Sequence, residues 1–437
     1  MTFRMRFAPS LVTLLASLTT SVAAGQTPET RPWEREIRDA AQFALVQTAV
    51  PGLLVVVVDR GQIVVSEAIG QASTTGPTPL TRQTVVRISG PGELGISLAL
   101  LRLSDMGKLD LDAPIGRYVR VHPAVGRVTA NQLISHKAGL RAKHFTNPLW
   151  EDADLSREVQ SWDERVFIAE PGATQSHSHY GVALGGYLVE SLIGKSFPDA
   201  MRELVWGPMG VASGTVRIRD VLTFPLAQGH RVQNGMADVI RPLGLGFIGW
   251  PNAPFLSLDG LDRFALALAE PATGGRVRGG STRTNSWTGS WSWGGVAFTA
   301  VVDVEQRFCA LIVDNGNGPA QARLAQTIQQ VVLGQQPPAP PAAISWTPVS
   351  PSARESLIGV YENETIFEIA VRDGKLILQS GQSVEEVTQG AENLFQAPIL
   401  IVEGQRARPS TFSVEVSRDG KARRLRIGSR VWVRKPS

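Results

Sequence analysis

Two apolar segments far apart in the chain limit what it can fold into. Residues 52–70 read GLLVVVVDRGQIVVSEAIG and residues 296–315 read VAFTAVVDVEQRFCALIVDN. Each is a pair of strand-like runs rich in branched apolar residues, the first hinged about Asp59-Arg60-Gly61. WEREIRDAAQFALVQTAV precedes the first pair and PAQARLAQTIQQVVL follows the second, both with the periodicity of amphipathic helices. The stretch between the two pairs is mostly helical in pattern. These features predict an α+β fold: one antiparallel sheet completed by both ends of a domain, flanked by helices, with a helical subdomain inserted. DGLDRFALALA within that middle predicts a helix burying Phe264 and Leu268.

A chain of 437 residues is longer than one ordinary domain. Residues 1–24 carry Arg4 and Arg6 ahead of a short apolar run that ends in small residues, the pattern of a secretory signal peptide. The chain is therefore expected to be exported, to the periplasm or beyond the cell, with no membrane span once the signal is removed. Its removal lowers the 43 Lys and Arg by two against 39 Asp and Glu, which leaves no basis for nucleic-acid binding. GQQPPAPPAAISWTP, residues 334–348, reads as a Pro/Ala linker. It separates a domain over 25–333 from residues 349–437, where alternating runs about Asp373-Gly374 and Asp419-Gly420 predict hairpins of a small all-β domain. The lone Cys309 forms no internal disulfide and is expected in the core.

The segment VVRISGPGELGISLALLRLSDMGKLDLDAPI, residues 85–115, predicts a buried helix with Gly90 at the N-cap and Pro91 in its first position. Glu93, third in the helix, is placed to bond back to the free amides and to favour the positive end of the dipole.

GKLDLDAPIGRYV, VTANQLISHKAGL, PGATQSHSHYGVALGGYLVESLIGKSF and VWGPMGV occur in the order and at about the spacing seen in one family. The chain resembles the serine β-lactamase-like family of class C β-lactamases, penicillin-binding DD-peptidases and related esterases. The resemblance covers roughly residues 35–335, and residues 349–437 resemble the small β domain that some members carry. It implies the β-lactamase/transpeptidase-like fold and a helix-borne S-x-x-K, whose amine deprotonates the serine hydroxyl. Counting from Gly107-Lys108-Leu109, the nucleophile position falls on Gly90 and the lysine position on Glu93. Ser89 stands one residue early, and a shift of one residue turns a side chain by about 100°.

The Tyr-x-Asn element of the family falls on His177 and His179, and its third motif on Trp293-Gly294-Gly295, an esterase-like form. Residues two apart in an extended segment share a face. The resemblance points that face into the cleft, where His177, His179 and Glu93 would converge. Such a group can act as a Glu-His base on water, or as a two-His, one-carboxylate metal site. Lys137 sits near the rim as a candidate cation for an acidic ligand, and His136 reads as a residue that fixes its loop. Ser89, Gly90, Lys137, Trp293, Gly294 and Gly295 form the expected ligand-binding set, with Trp291 sharing a face with Trp293. No cofactor is expected.

Three functions follow from these readings. One is a degenerate member of the family that binds a small-molecule or cell-wall-derived ligand without forming an acyl-enzyme. Another is a hydrolase of esters or amides rebuilt on Glu93, His177 and His179. The last is an assembly role resting on the C-terminal β domain.

Overall fold

The computed structural model describes residues 31–435 except 77, 143–151, 153, 241–252, 279–283, 317–319, 336–343, 392, 398–399, 403–404, 408–409 and 418–419. The expected signal peptide and the middle of the expected linker therefore lie outside the described residues.

Helix α1 (Pro32–Thr48) leads into strands β1 (Gly52–Asp59) and β2 (Gln62–Ser73). Helices α2 (Pro91–Asp105), α3 (His179–Ile193) and α4 (Leu258–Ala269) belong to the middle of the chain. Strands β3 (Ser286–Trp293), β4 (Val296–Asp303) and β5 (Phe308–Asp314) follow, then helix α5 (Ala320–Leu333). β1 pairs antiparallel with β5, from Leu53 opposite Asp314 to Val58 opposite Cys309, so the two ends of the domain meet at the centre of one six-stranded sheet.

The unbroken apolar runs have a physical reason. Leu53, Val55 and Val57 of β1 pack with α1 and α5, while Leu54, Val56 and Val58 face α4 and the helical core. A strand covered on both faces has no polar side to alternate with. Cys309 is fully buried in the second of these cores, as expected. α2 runs through the same core, and its Gly95 lets Met201 and Trp206 approach so closely that an added Cβ would lie 3.1 Å from each.

The C-terminal sheet contains β6 (Gly359–Glu362), β7 (Ile366–Arg372), β8 (Lys375–Ser380), β9 (Ala422–Ile427) and β10 (Arg430–Arg434), five of its ten strands. Thr347-Pro348, expected as the end of the linker, already pairs with Thr388 and Gln389 as an edge strand of this sheet. The sheet is docked by directed bonds. Arg141 Nη1 donates to Glu362 Oε1 at 2.9 Å, and the Ala142 amide donates to Asn363 Oδ1 at 2.7 Å. The His177 amide donates to the Ser429 carbonyl at 3.0 Å, and the Val431 amide to Ser176 Oγ at 3.1 Å. The turn between β9 and β10 is thereby fastened to the loop that leads into α3.

Candidate functional site

The site begins at the N-terminus of α2. Gly90 caps it with φ 107°, a backbone conformation open to glycine alone. A Cβ there would lie 2.7 Å from Trp291 Cδ2 and 2.8 Å from Phe298 Cδ1, so rings delivered by β3 and β4 fill the space of a side chain. Pro91 occupies the first helical position as expected, but Glu93 does not turn back to its own helix, whose cap takes no side-chain bond. Instead the buried carboxylate reaches across the cleft. His136 Nε2 lies 3.0 Å from Oε1, His177 Nε2 3.0 Å from Oε2, Arg278 Nη1 3.2 Å from Oε1 and Trp291 Nε1 3.4 Å from Oε2.

Burial by itself would raise the Glu93 pKa. Attraction to His136 and the hydrogen bonds from both imidazoles overcome it and hold the carboxyl well below its ordinary value of 4.5. Burial dominates at His177, lowering its pKa from 6.5 against the pull of Glu93. An ionised carboxylate only accepts, so a neutral His177 is fixed with its proton on Nε2 and its lone pair on Nδ1. Among the described residues no hydrogen bond engages that Nδ1.

His179 departs from expectation. The helix starts there because Ser178 acts as N-cap, its hydroxyl accepting from the Gly181 amide at 3.1 Å and donating to the Arg141 carbonyl. The segment 177–179 is thus not one extended face. His177 turns to Glu93, while His179 Nε2 lies 3.3 Å from Arg430 Nη2 of the C-terminal sheet. The two rings stand edge to face at 5.0 Å. The three-residue metal site is not assembled, and among the described residues no three His, Cys, Asp or Glu side chains are arranged to hold a metal.

A cavity of about 530 Å³ opens beside this cluster. Ser89 and Trp293 of the expected ligand-binding set line it, together with Trp291 and all three histidines. Lys137 is exposed and is not among the lining residues, because its loop is fastened through the backbone, from its amide to Gln132 and from its carbonyl to Gly172. Gly294 and Gly295 form the β3–β4 turn, with φ 60° and 79°, and pack against Gly229 and His230 instead of the cavity. His136, expected only to fix its loop, is a direct partner of Glu93, and its φ of 54° marks the turn that presents it. Arg278 carried no signal in RVRGG, because its role depends on β3. Its guanidinium lies 5.4 Å from the Trp291 ring and 5.9 Å from that of Trp287.

The Beta-lactamase family model matches residues 33–335. The chain belongs to the Beta-lactamase family. Among curated relatives of this β-lactamase-family chain, the mitochondrial serine beta-lactamase-like protein LACTB of Bos taurus is 34% identical over 123 residues, 26% of this chain and 22% of that protein. Esterase EstB of Burkholderia gladioli is 26% identical over 228 residues, 43% of this chain and 57% of the esterase. The chain therefore matches less than two thirds of the length of either relative. The crystal structure of SurE superposes with a TM-score of 0.74 at 17% identity, covering 92% of this chain and 99% of SurE. That likeness is one of fold, and its coverage takes in both sheets.

Proposed function

We propose that this chain is an exported member of the Beta-lactamase family that binds a small-molecule or cell-wall-derived ligand in its cleft without acyl transfer. One observation carries the reading: the α2 N-terminus presents Gly90, whose side-chain space is filled by Trp291 and Phe298, and Glu93, whose carboxylate is engaged by four donors. The resemblance sets the serine and the lysine at these two positions. Neither a hydroxyl at 90 nor an amine at 93 is present, so the covalent step has no nucleophile and no base there. No lysine is among the described residues that line the cavity. Incubation with a fluorescent penicillin is expected to leave the protein unlabelled and its intact mass unchanged. A stoichiometric adduct overturns the reading.

His177 favours a second reading, hydrolysis by activated water. Neutral, held by Glu93 through Nε2, it keeps an acceptor Nδ1 on a ring that lines the cavity. That atom can take the proton of a water whose oxygen adds to an ester carbonyl, and return it to the departing alkoxide. The family resemblance to Esterase EstB supports testing an ester. Turnover of p-nitrophenyl acetate that His177→Gln abolishes selects this second reading. Turnover no faster than buffer selects the first.

A further inference from the structure

The cavity is lined by two different sheets. Arg426, Ile427, Gly428, Ser429 and Arg430, from the ends of β9 and β10 and their turn, form its outer wall. Trp291 and Trp293 of β3 also line it. No aspartate or glutamate is among the described lining residues.

Two of the three arginines among the described lining residues have carboxylate partners. Arg278 donates to Glu93, which sits behind the histidines. Arg430 Nη1 donates to the buried Glu364 carboxylate at 2.6 Å. Arg426 donates from Nη1 to the Gln175 carbonyl at 3.2 Å, a neutral partner that points its fork without neutralising it. Among the described residues no carboxylate pairs with Arg426. Arg426 therefore stands on the cavity wall as a cation with only a neutral partner, and its guanidinium is the side chain best shaped to grip a carboxylate with two parallel bonds.

Resting on the non-covalent reading above, we infer that the ligand is a carboxylate bearing a flat apolar group, and that Arg426 of the C-terminal sheet is its specificity-determining contact. The carboxylate meets the guanidinium at the outer wall, and the apolar group lies toward Trp291 and Trp293. This gives the C-terminal sheet a direct part in recognition.

The probe is N-benzoylglycine, compared with its neutral amide, by calorimetry on the full chain. The acid is expected to bind about tenfold more tightly than the amide, the size of one charge-assisted hydrogen-bonded contact. Raising the salt concentration should weaken the acid only. Arg426→Gln should bring the acid down to the level of the amide while leaving the melting temperature unchanged, since the side chain is exposed. Equal binding of acid and amide, no saturable binding of the acid, or a preference that survives Arg426→Gln overturns the inference. Equal binding leaves the non-covalent reading standing, whereas a penicillin adduct removes that reading independently of these affinities.

Discussion

Glu93 and His177 make the acid stability of this protein a local property. The folded pKa of His177 is lowered, so below 6.5 the unfolded chain takes up its proton more readily than the folded one, and stability falls as pH falls through that value. The folded pKa of Glu93 is also lowered, so its contribution is complete above 4.5 and is lost on further acidification. Both act in the same direction, in successive windows. His230, whose pKa burial also lowers, adds to the upper window. His177→Gln keeps a donor toward Glu93 and removes one titrating group. Melting temperature against pH should therefore decline less between 6.5 and 4.5 in the variant than in the parent, with the fall below 4.5 retained. Superimposable profiles would show that His177 is not the buried neutral group described here.

The start of α3 decides which histidine belongs to the cleft. Ser178 stops the extended run one residue after His177 and turns His179 toward the other sheet. Ser178→Ala removes the cap and should cost about 1 kcal/mol, read as a lower urea midpoint at unchanged slope. It should also loosen the His177–Glu93 contact, seen as a shifted His177 imidazole resonance. An unmoved resonance would mean that the cap does not position the ring. The main strands and helices were legible in the sequence from their apolar patterns. β1 and β5 read as continuous apolar runs because both faces are covered, and α2 and α4 read from their buried residues. The divergence of His177 and His179 was harder to see. A serine before an apolar run is a cap signal, but H-S-H also fits an extended strand, and the Arg141 carbonyl that selects between them lies far away in sequence. The Glu93 partners show the same contrast. His177 was reachable through its place in a motif, whereas Arg278 is an ordinary surface-type residue until the fold brings it to Glu93.

The docking of the two sheets rests on buried charge as well as on backbone bonds. Arg430 Nη1 donates to Glu364 Oε2 at 2.6 Å and Nη2 lies 3.3 Å from His179 Nε2, so the C-terminal sheet meets α3 through groups that are nearly all removed from water. Arg430→Met strands the Glu364 carboxylate and should cost about 3–5 kcal/mol. Combining it with Glu364→Leu should recover most of that loss, since both charges are then absent. A single variant as stable as the parent would show that this buried pair does not stabilise the fold.

The glycine at the tip of α2 has a consequence for how such a cleft can change. Installing a hydroxyl there by one codon change would force a left-handed, φ-strained residue into the ring of Trp291, which arrives from a strand encoded far downstream. Trimming the tryptophan first would open a void beneath Arg278 and withdraw a donor from Glu93. Either order of substitution passes through a damaged intermediate. An engineer seeking a nucleophile at this helix tip would have to rewrite codons for β3 and β4 together with that of the glycine itself.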